Sequence, residues 1–552
     1  MYSSEPLPHF VDDYLRYLQE SRPTVAALDG VHAHDDLLED LARPAIDADL
    51  RSLAGFARRL SEIDPAGLTE VEKAEQPVLA DHIKARMFEL EEIRTWEKNP
   101  HLYADTLASS LATQALFSFA PPADRARRVL SKLRQAPRLI QAARDNVKDP
   151  PGIFVKVGIE TFNGALRFIE HDLPRAFREV DDLHLLGDLA DASIEAANAI
   201  RAYVETLETE LAPKARASFR LGRNRFEQKL KLEEGLGLSS DRLLAIAERE
   251  LATTGEAFRS AASKLNGADP AEAWAKAKGQ HPAPGELIKA AEQQLGELQS
   301  FVEKQKLLTL PDSERVVVAP TPDFFRWSSA SMWTPGPFES KPSRAYYYLT
   351  DVDRNWPTER QVEHLRDFNY GTLWCISIHE VYPGHFVQYQ HLRKVESTVR
   401  KSIFFAPATC VEGWAHYCEE MMLEAGFGRK DPLVRLGQLQ EALIRLVRFV
   451  VSIRLHAEDL SVEQGVRLFK EHAFLEEVNA RREAERGTFD PTYLVYSVGK
   501  LMLQKLRRDV EAKEGDAFSL RTFHDALLKQ GNAPYSLHRR LMLGDTSGAV
   551  LE

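Results

Sequence analysis

From about residue 8 to residue 310, apolar side chains return every three or four positions, a period that suits α-helices and excludes alternating strands. Val129, Leu130, Leu133, Ala136, Leu139, Ile140 and Ala143 trace one such stripe. Ala, Leu, Glu, Lys and Arg are abundant here, and these residues lose little on entering a helix. The pattern predicts a stack of helices, interrupted near Pro150-Pro151-Gly152 and again from Gly267 to Gly285. A chain of 552 residues can build two or three folding units, or one large helical body.

The signal changes between Pro311 and Asp351. Val316-Val317-Val318 and Tyr346-Tyr347-Tyr348-Leu349 are β-prone runs, separated by a stretch from Pro320 to Pro342 rich in Pro, Ser, Gly and Trp. They predict a small β-sheet beside the next helix, along which an extended substrate backbone could lie. The tyrosines serve equally well as plain strand core. Beyond the sheet the helical period resumes, with a further loop over Arg486-Gly487-Thr488-Phe489-Asp490-Pro491. This gives an N-terminal helical region, residues 1–310, and a second region, 311–552, or one continuous domain.

Composition narrows the function classes. The chain is 44% hydrophobic and 28% charged, as globular proteins are, and its net charge of -12 disfavours a nucleic-acid partner. No apolar run or basic amphipathic stretch suggests a membrane. Met1 to Pro6 show neither a basic segment nor an apolar core, so no export is expected. Cys375, Cys410 and Cys418 are odd in number and sit in apolar helical runs, which predicts reduced core thiols and a cytoplasmic location.

Chemistry concentrates at His379-Glu380-Val381-Tyr382-Pro383-Gly384-His385, which follows the apolar run Leu373 to Ile378. Two imidazoles flanking a carboxylate resemble zinc hydrolases, where His residues hold the metal and Glu activates water. In the familiar pattern the two His are four residues apart, one helical turn. Here they are six apart, and at about 100° per residue a regular helix would aim them roughly 240° apart. Pro383 and Gly384 fall in the gap, so the helix is expected to break or bulge at 382–384 and swing His385 back toward His379. A Pro-Gly pair also marks ordinary turns, but a charged pair in so apolar a helix needs a partner or a metal.

A third ligand is on offer in Val411 to Met422. Trp414, Tyr417, Cys418, Met421 and Met422 form an apolar stripe, while Glu412, His416 and Glu419 fall on another face. That face can supply a ligand and an outer partner that orients the ligating imidazoles, or it can be a solvated helix surface. Two His and one Glu leave a fourth position open to water, as in catalytic zinc sites.

These residues resemble the bacterial family called domain of unknown function 885, whose members carry a His-Glu-x-x-Pro-Gly-His segment and then Glu-Gly-Trp-Ala-x-Tyr. Here these are His379 to His385 and Glu412 to Tyr417, with further similarity at Tyr496 to Gly499 and Phe523 to Gly531. That family's fold looks like the carboxypeptidase Taq and thimet oligopeptidase groups, all-helical zinc peptidases with a deep cleft. The resemblance implies a mainly α, multi-helix, zinc-peptidase-like body with a small sheet near the active site. It implies one zinc per chain, with His379, His385 and Glu412 as ligands, Glu380 as general base and Glu419 as an outer partner. Tyr496 matches a family position from which related groups stabilise an oxyanion, and Tyr493 lies one turn earlier; both rings could simply pack. Phe386 stands where the family often has a second His, and His416 replaces an apolar residue one turn from Glu412. His416 is an outer or surface residue on this reading, or a competing ligand.

The function these residues imply is hydrolysis of a peptide or related amide in short or peptide-like substrates. Arg481, Arg482 and Arg486 could clamp a terminal carboxylate. Two alternatives keep the fold: a helical binding protein without turnover, and a metal hydrolase acting on a non-peptide amide or ester.

Overall fold

The computed structural model describes residues 5–547 and 549–551, apart from 267–268, 312–314, 323–328 and 341–343. Met1 to Ser4, read above for export, and part of the Pro320 to Pro342 stretch lie outside these described residues. What is described is a mainly helical body with one three-stranded open sheet. No described helix is long and apolar enough to cross a membrane.

The N-terminal half is a stack of helices, and local signals account for their ends. The helix Glu70–Phe88 begins at a capping box in which Thr69 accepts from the Glu72 amide and Glu72 reaches back to the Thr69 amide. Pro122–Asn146 and Leu183–Thr206 face each other over a core that includes Val129, Leu133, Leu189 and Ile200. The interruption at Pro150 is present, between Asn146 and Gly152. The second one differs from the sequence reading, because a short helix, Pro270–Lys278, sits inside it. Asp269 caps that helix through the Ala271 amide and Pro270 occupies its first position, a start signal that the flanking glycines obscured.

The sheet has order β1-β3-β2, with β1 (Val316–Pro320) parallel and β2 (Ala330–Trp333) antiparallel to the central β3 (Ala345–Leu349). β2 arises within the stretch that had no strand signal, since Pro and Gly flank it while Met332 pairs opposite the buried Tyr347. Tyr347 also reaches the helix Tyr370–Glu380, its hydroxyl 3.2 Å from Ser377 Oγ, which donates to Gln294 at 2.8 Å. The largest core spans both regions of the sequence, from Phe226 through Leu298, Tyr347, Ile378 and Trp414 to Leu551.

The N-terminal half is fastened to the β2–β3 connection by His32. Its ring nitrogens lie 2.8 Å from Asp35 and 2.8 Å from Glu339, and the ring stacks on Phe119. Burial opposes the imidazolium, but the two carboxylates outweigh it and raise its pKa to about 9.

Candidate metal centre

The helix that carries His379 ends at Glu380, and a new one, His385–Leu392, starts at the second histidine. The break is a wound turn: the Val381 and Tyr382 amides return to Ser377 O, and the Gly384 amide donates to Ile378 O at 3.0 Å. A side chain at position 384 would overlap the His379 carbonyl, so only glycine lets the turn close this tightly. The Tyr382–Pro383 peptide is cis. The buried turn has a specific partner, since the indole of Trp414 donates to Pro383 O at 3.0 Å.

Trp414 belongs to the helix Ala408–Glu424, which also carries Glu412, His416 and Glu419. It crosses the helix Val495–Glu514, bearer of Tyr496, with backbones almost touching at Gly413 and Gly499. A Cβ at either position would strike the other helix, so this pair of glycines sets how near Tyr496 comes to Glu412.

The breaks and crossings bring His379, His385 and Glu412 together. Their ligand atoms lie within 4.8 Å of one another, with Glu412 Oε2 3.4 Å from His379 Nε2 and 3.5 Å from His385 Nε2. Tetrahedral donors at zinc bond lengths of about 2.0 to 2.2 Å stand roughly 3.3 to 3.6 Å apart, so these two edges fit the ion. His379 is held for that task, because its Nδ1–H donates to Glu419 Oε1 at 2.7 Å and leaves Nε2 facing Glu412. His385 Nδ1 is buried without a hydrogen-bond partner among the described residues.

Glu419 is fully buried and used from three sides: by His379, by His416 Nδ1 at 3.0 Å and by the Arg445 guanidinium at 3.2 Å. Burial alone would favour its neutral form, but Arg445 and the two imidazoles hold its carboxyl well below the ordinary range. His416 is driven to the neutral form by burial, down to about 4, and serves Glu419 through Nδ1. Burial likewise opposes the His379 imidazolium, yet Glu412 and Glu419 outweigh it and raise the metal-free pKa to about 9. Glu412 is held low by His385 and His379 against the cost of its burial. Glu380 moves the other way: burial pushes its carboxyl up, Glu412 adds to the effect, and His379 and His385 only partly oppose it.

Tyr496 lies beside this group, its ring centroid 6.3 Å from that of His379 and nearly parallel to it. Arg445 and Arg448 sit over the ring at 5.7 and 5.3 Å, and burial raises the pKa of its hydroxyl although Arg486 and Arg448 oppose this. Tyr493 packs in the helical core near Leu455, with its hydroxyl against Gly487 and Arg486 over its ring at 5.7 Å. Of the arginines considered as carboxylate clamps, Arg481 is spent on Glu463 and Glu477 at the surface, while Arg486 pairs with Asp490. His524 bridges Leu307 O and the Tyr417 hydroxyl, which is a packing role.

Sequence reading passed over Arg445 and the indole of Trp414. A signal for the first existed, since a lone arginine in Leu443-Ile444-Arg445-Leu446-Val447 must find a buried carboxylate.

A second described group, Glu5, His9 and Asp13, could also hold a metal ion by donor type and spacing. It already has its cation, because Arg59 binds Glu5 at 2.5 Å and Asp13 at 2.9 Å.

Comparison with known proteins matches residues 23–542 to the family described as "Bacterial protein of unknown function (DUF885)". The chain is a member of the DUF885 family. Two solved structures share the fold of this DUF885 chain. One, from Shewanella oneidensis and assigned as a lipoprotein of unknown function, superposes with a TM-score of 0.81 at 24% identity over 98% of this chain and 100% of its own. The other, assigned as a lipoprotein from Colwellia psychrerythraea, gives 0.79 at 20% identity over 96% and 97%. No curated protein matches the DUF885 chain.

These relatives correct the cytoplasmic expectation, which does not stand beside two lipoproteins of the same fold. The thiols were a poor guide for a physical reason: Cys375, Cys410 and Cys418 are each buried and unpaired, so they stay reduced in any compartment.

Proposed function

We propose that the DUF885 chain binds one zinc ion at His379, His385 and Glu412 and hydrolyses an amide bond, in a short peptide or peptide-like substrate. The carrying observation is the donor triangle with His379 fixed by Glu419, a geometry that suits a three-ligand site with one open position. Zinc bound there supplies Lewis acidity toward a carbonyl and toward water. Glu380, with its carboxyl raised, takes the proton of the attacking water and passes it to the leaving amine. Tyr496, rather than the core-packed Tyr493, donates to the developing oxyanion. The substrate enters over the partly exposed face of Glu412, in a deep cleft with residues 1–310 as one wall and 311–552 carrying the ligands. The likeness to carboxypeptidase Taq and thimet oligopeptidase groups belongs to this reading. So does a setting outside the cytoplasm, which the two lipoproteins support.

A second reading, metal binding without turnover or with a non-peptide amide or ester as substrate, is favoured by the relatives, which are assigned only as lipoproteins of unknown function. Zinc-loaded protein and its Glu380→Gln variant, assayed against parallel peptide, non-peptide amide and ester libraries, separate the readings. Peptide cleavage that falls about 10² to 10⁴-fold in the variant, at unchanged zinc content, supports the proposal. Ester turnover alone, or no turnover, selects the second reading.

A further inference from the structure

A cavity of about 530 Å³, the size of a small-molecule site, is lined by none of the three triad residues. Val78, Phe404, Phe405 and Leu537 give it apolar walls, and Glu234 forms part of its lining. The other charges of the lining are largely matched: Glu233 pairs with Lys229, and Arg539 with Asp509 and Asp545. Glu234 forms no ion pair among the described residues. Nearly all of its surface is buried at the start of the helix Ala408–Glu424, where it accepts from the Thr409 amide at 2.8 Å, and its neighbour Glu233 repels it. Burial without a cation raises its carboxyl to about 7. His82, also in the lining, is kept neutral by burial and does not meet that need.

The geometry points to a binding site for an amphipathic amine, with the ammonium on Glu234 and the apolar tail along Phe404, Phe405 and Val78. A buried carboxylate that lacks a counter-charge gains most from a cation, and the aromatic and aliphatic walls select a hydrocarbon tail over a hydrated metal ion. This site is independent of the proposed hydrolysis and stands or falls without it.

The test is calorimetric titration of the full chain with 2-phenylethylamine and with its neutral counterpart, 2-phenylethanol. Glu234→Gln retains an acceptor for the Thr409 amide while removing the charge. Ser536→Trp, at an exposed position of the lining, obstructs the cavity without altering Glu234. Saturable binding of the amine, at least tenfold weaker in Glu234→Gln, lost in Ser536→Trp and much weaker for the alcohol, is the expected result. Absence of binding at millimolar amine, equal affinity for the alcohol, or unchanged binding in Ser536→Trp would overturn the site. Should Glu234→Gln fail to fold, the alcohol and the tryptophan variant still decide it.

Discussion

The triad His379, His385 and Glu412 and the trio Glu5, His9 and Asp13 present the same kinds of donor atom at similar separations, yet they stand in different surroundings. Glu5, His9 and Asp13 lie at four-residue steps around the start of one helix, with His9 two-thirds exposed, and Arg59 neutralises both carboxylates. The triad comes from three segments that converge, and Arg445 holds the outer Glu419 instead of Glu412. Donors alone do not make a metal centre. What counts is whether a protein cation already occupies them, and whether an outer carboxylate fixes the tautomer of a ligand.

The largest expected effect breaks the contrast outright. Glu412→Ala should abolish the single zinc per chain, whereas His9→Ala should leave it intact; elemental analysis after dialysis reads both. Zinc lost equally in the two variants would mean that the N-terminal trio holds it. Glu419→Ala should weaken zinc binding by only about 10 to 100-fold, the usual range for an outer partner, in competition with a chromophoric chelator. A loss as deep as that of Glu412→Ala would move Glu419 into direct ligation.

Removing the resident cation sharpens the comparison from the other side. Arg59→Met should let Glu5 and Asp13 take up a second, weakly bound zinc that the parent chain lacks, detectable as a change in stoichiometry at high free metal. No second ion would show that the exposed trio is a poor site even when vacated.

His32 supplies the smallest and most gradual effect, as an imidazole whose two carboxylates make it the cation. Its pKa rises on folding from 6.5 to about 9, so its stabilisation is complete below pH 6.5 and is lost as pH climbs through 9. Urea titrations across that window should show a decline that is flattened in His32→Gln. Parallel curves for the two proteins would remove His32 from the fastening role.

Much of the fold was legible because helices announce themselves locally, through the spacing of Val129, Leu133 and Ala136 or the cap at Thr69. The break at 382–384 was legible for the same reason, since Pro383 and Gly384 act on their own backbone. Less accessible were facts that depend on a distant partner. β2 exists because Tyr347 offers Met332 a mate, and Pro270–Lys278 needed the Asp269 cap to be weighed above its glycines. Arg445 acts 26 positions after Glu419, and Trp414 acts by bonding carbonyls 31 and 30 positions earlier, contacts no local pattern encodes. The location of the protein was misread from thiols that burial makes uninformative.

The turn between Glu380 and His385 also has a consequence for how such proteins are found. Because its backbone folds back on Ser377 and Ile378, two histidines six places apart become spatial neighbours, their ring centroids 4.8 Å apart. A text search tuned to a four-residue interval discards such a chain at once. A better query is a grammar with three words: a histidine-glutamate pair closing an apolar helix, a glycine that opens the next one, and downstream a glutamate followed two residues later by the tryptophan that seals the turn.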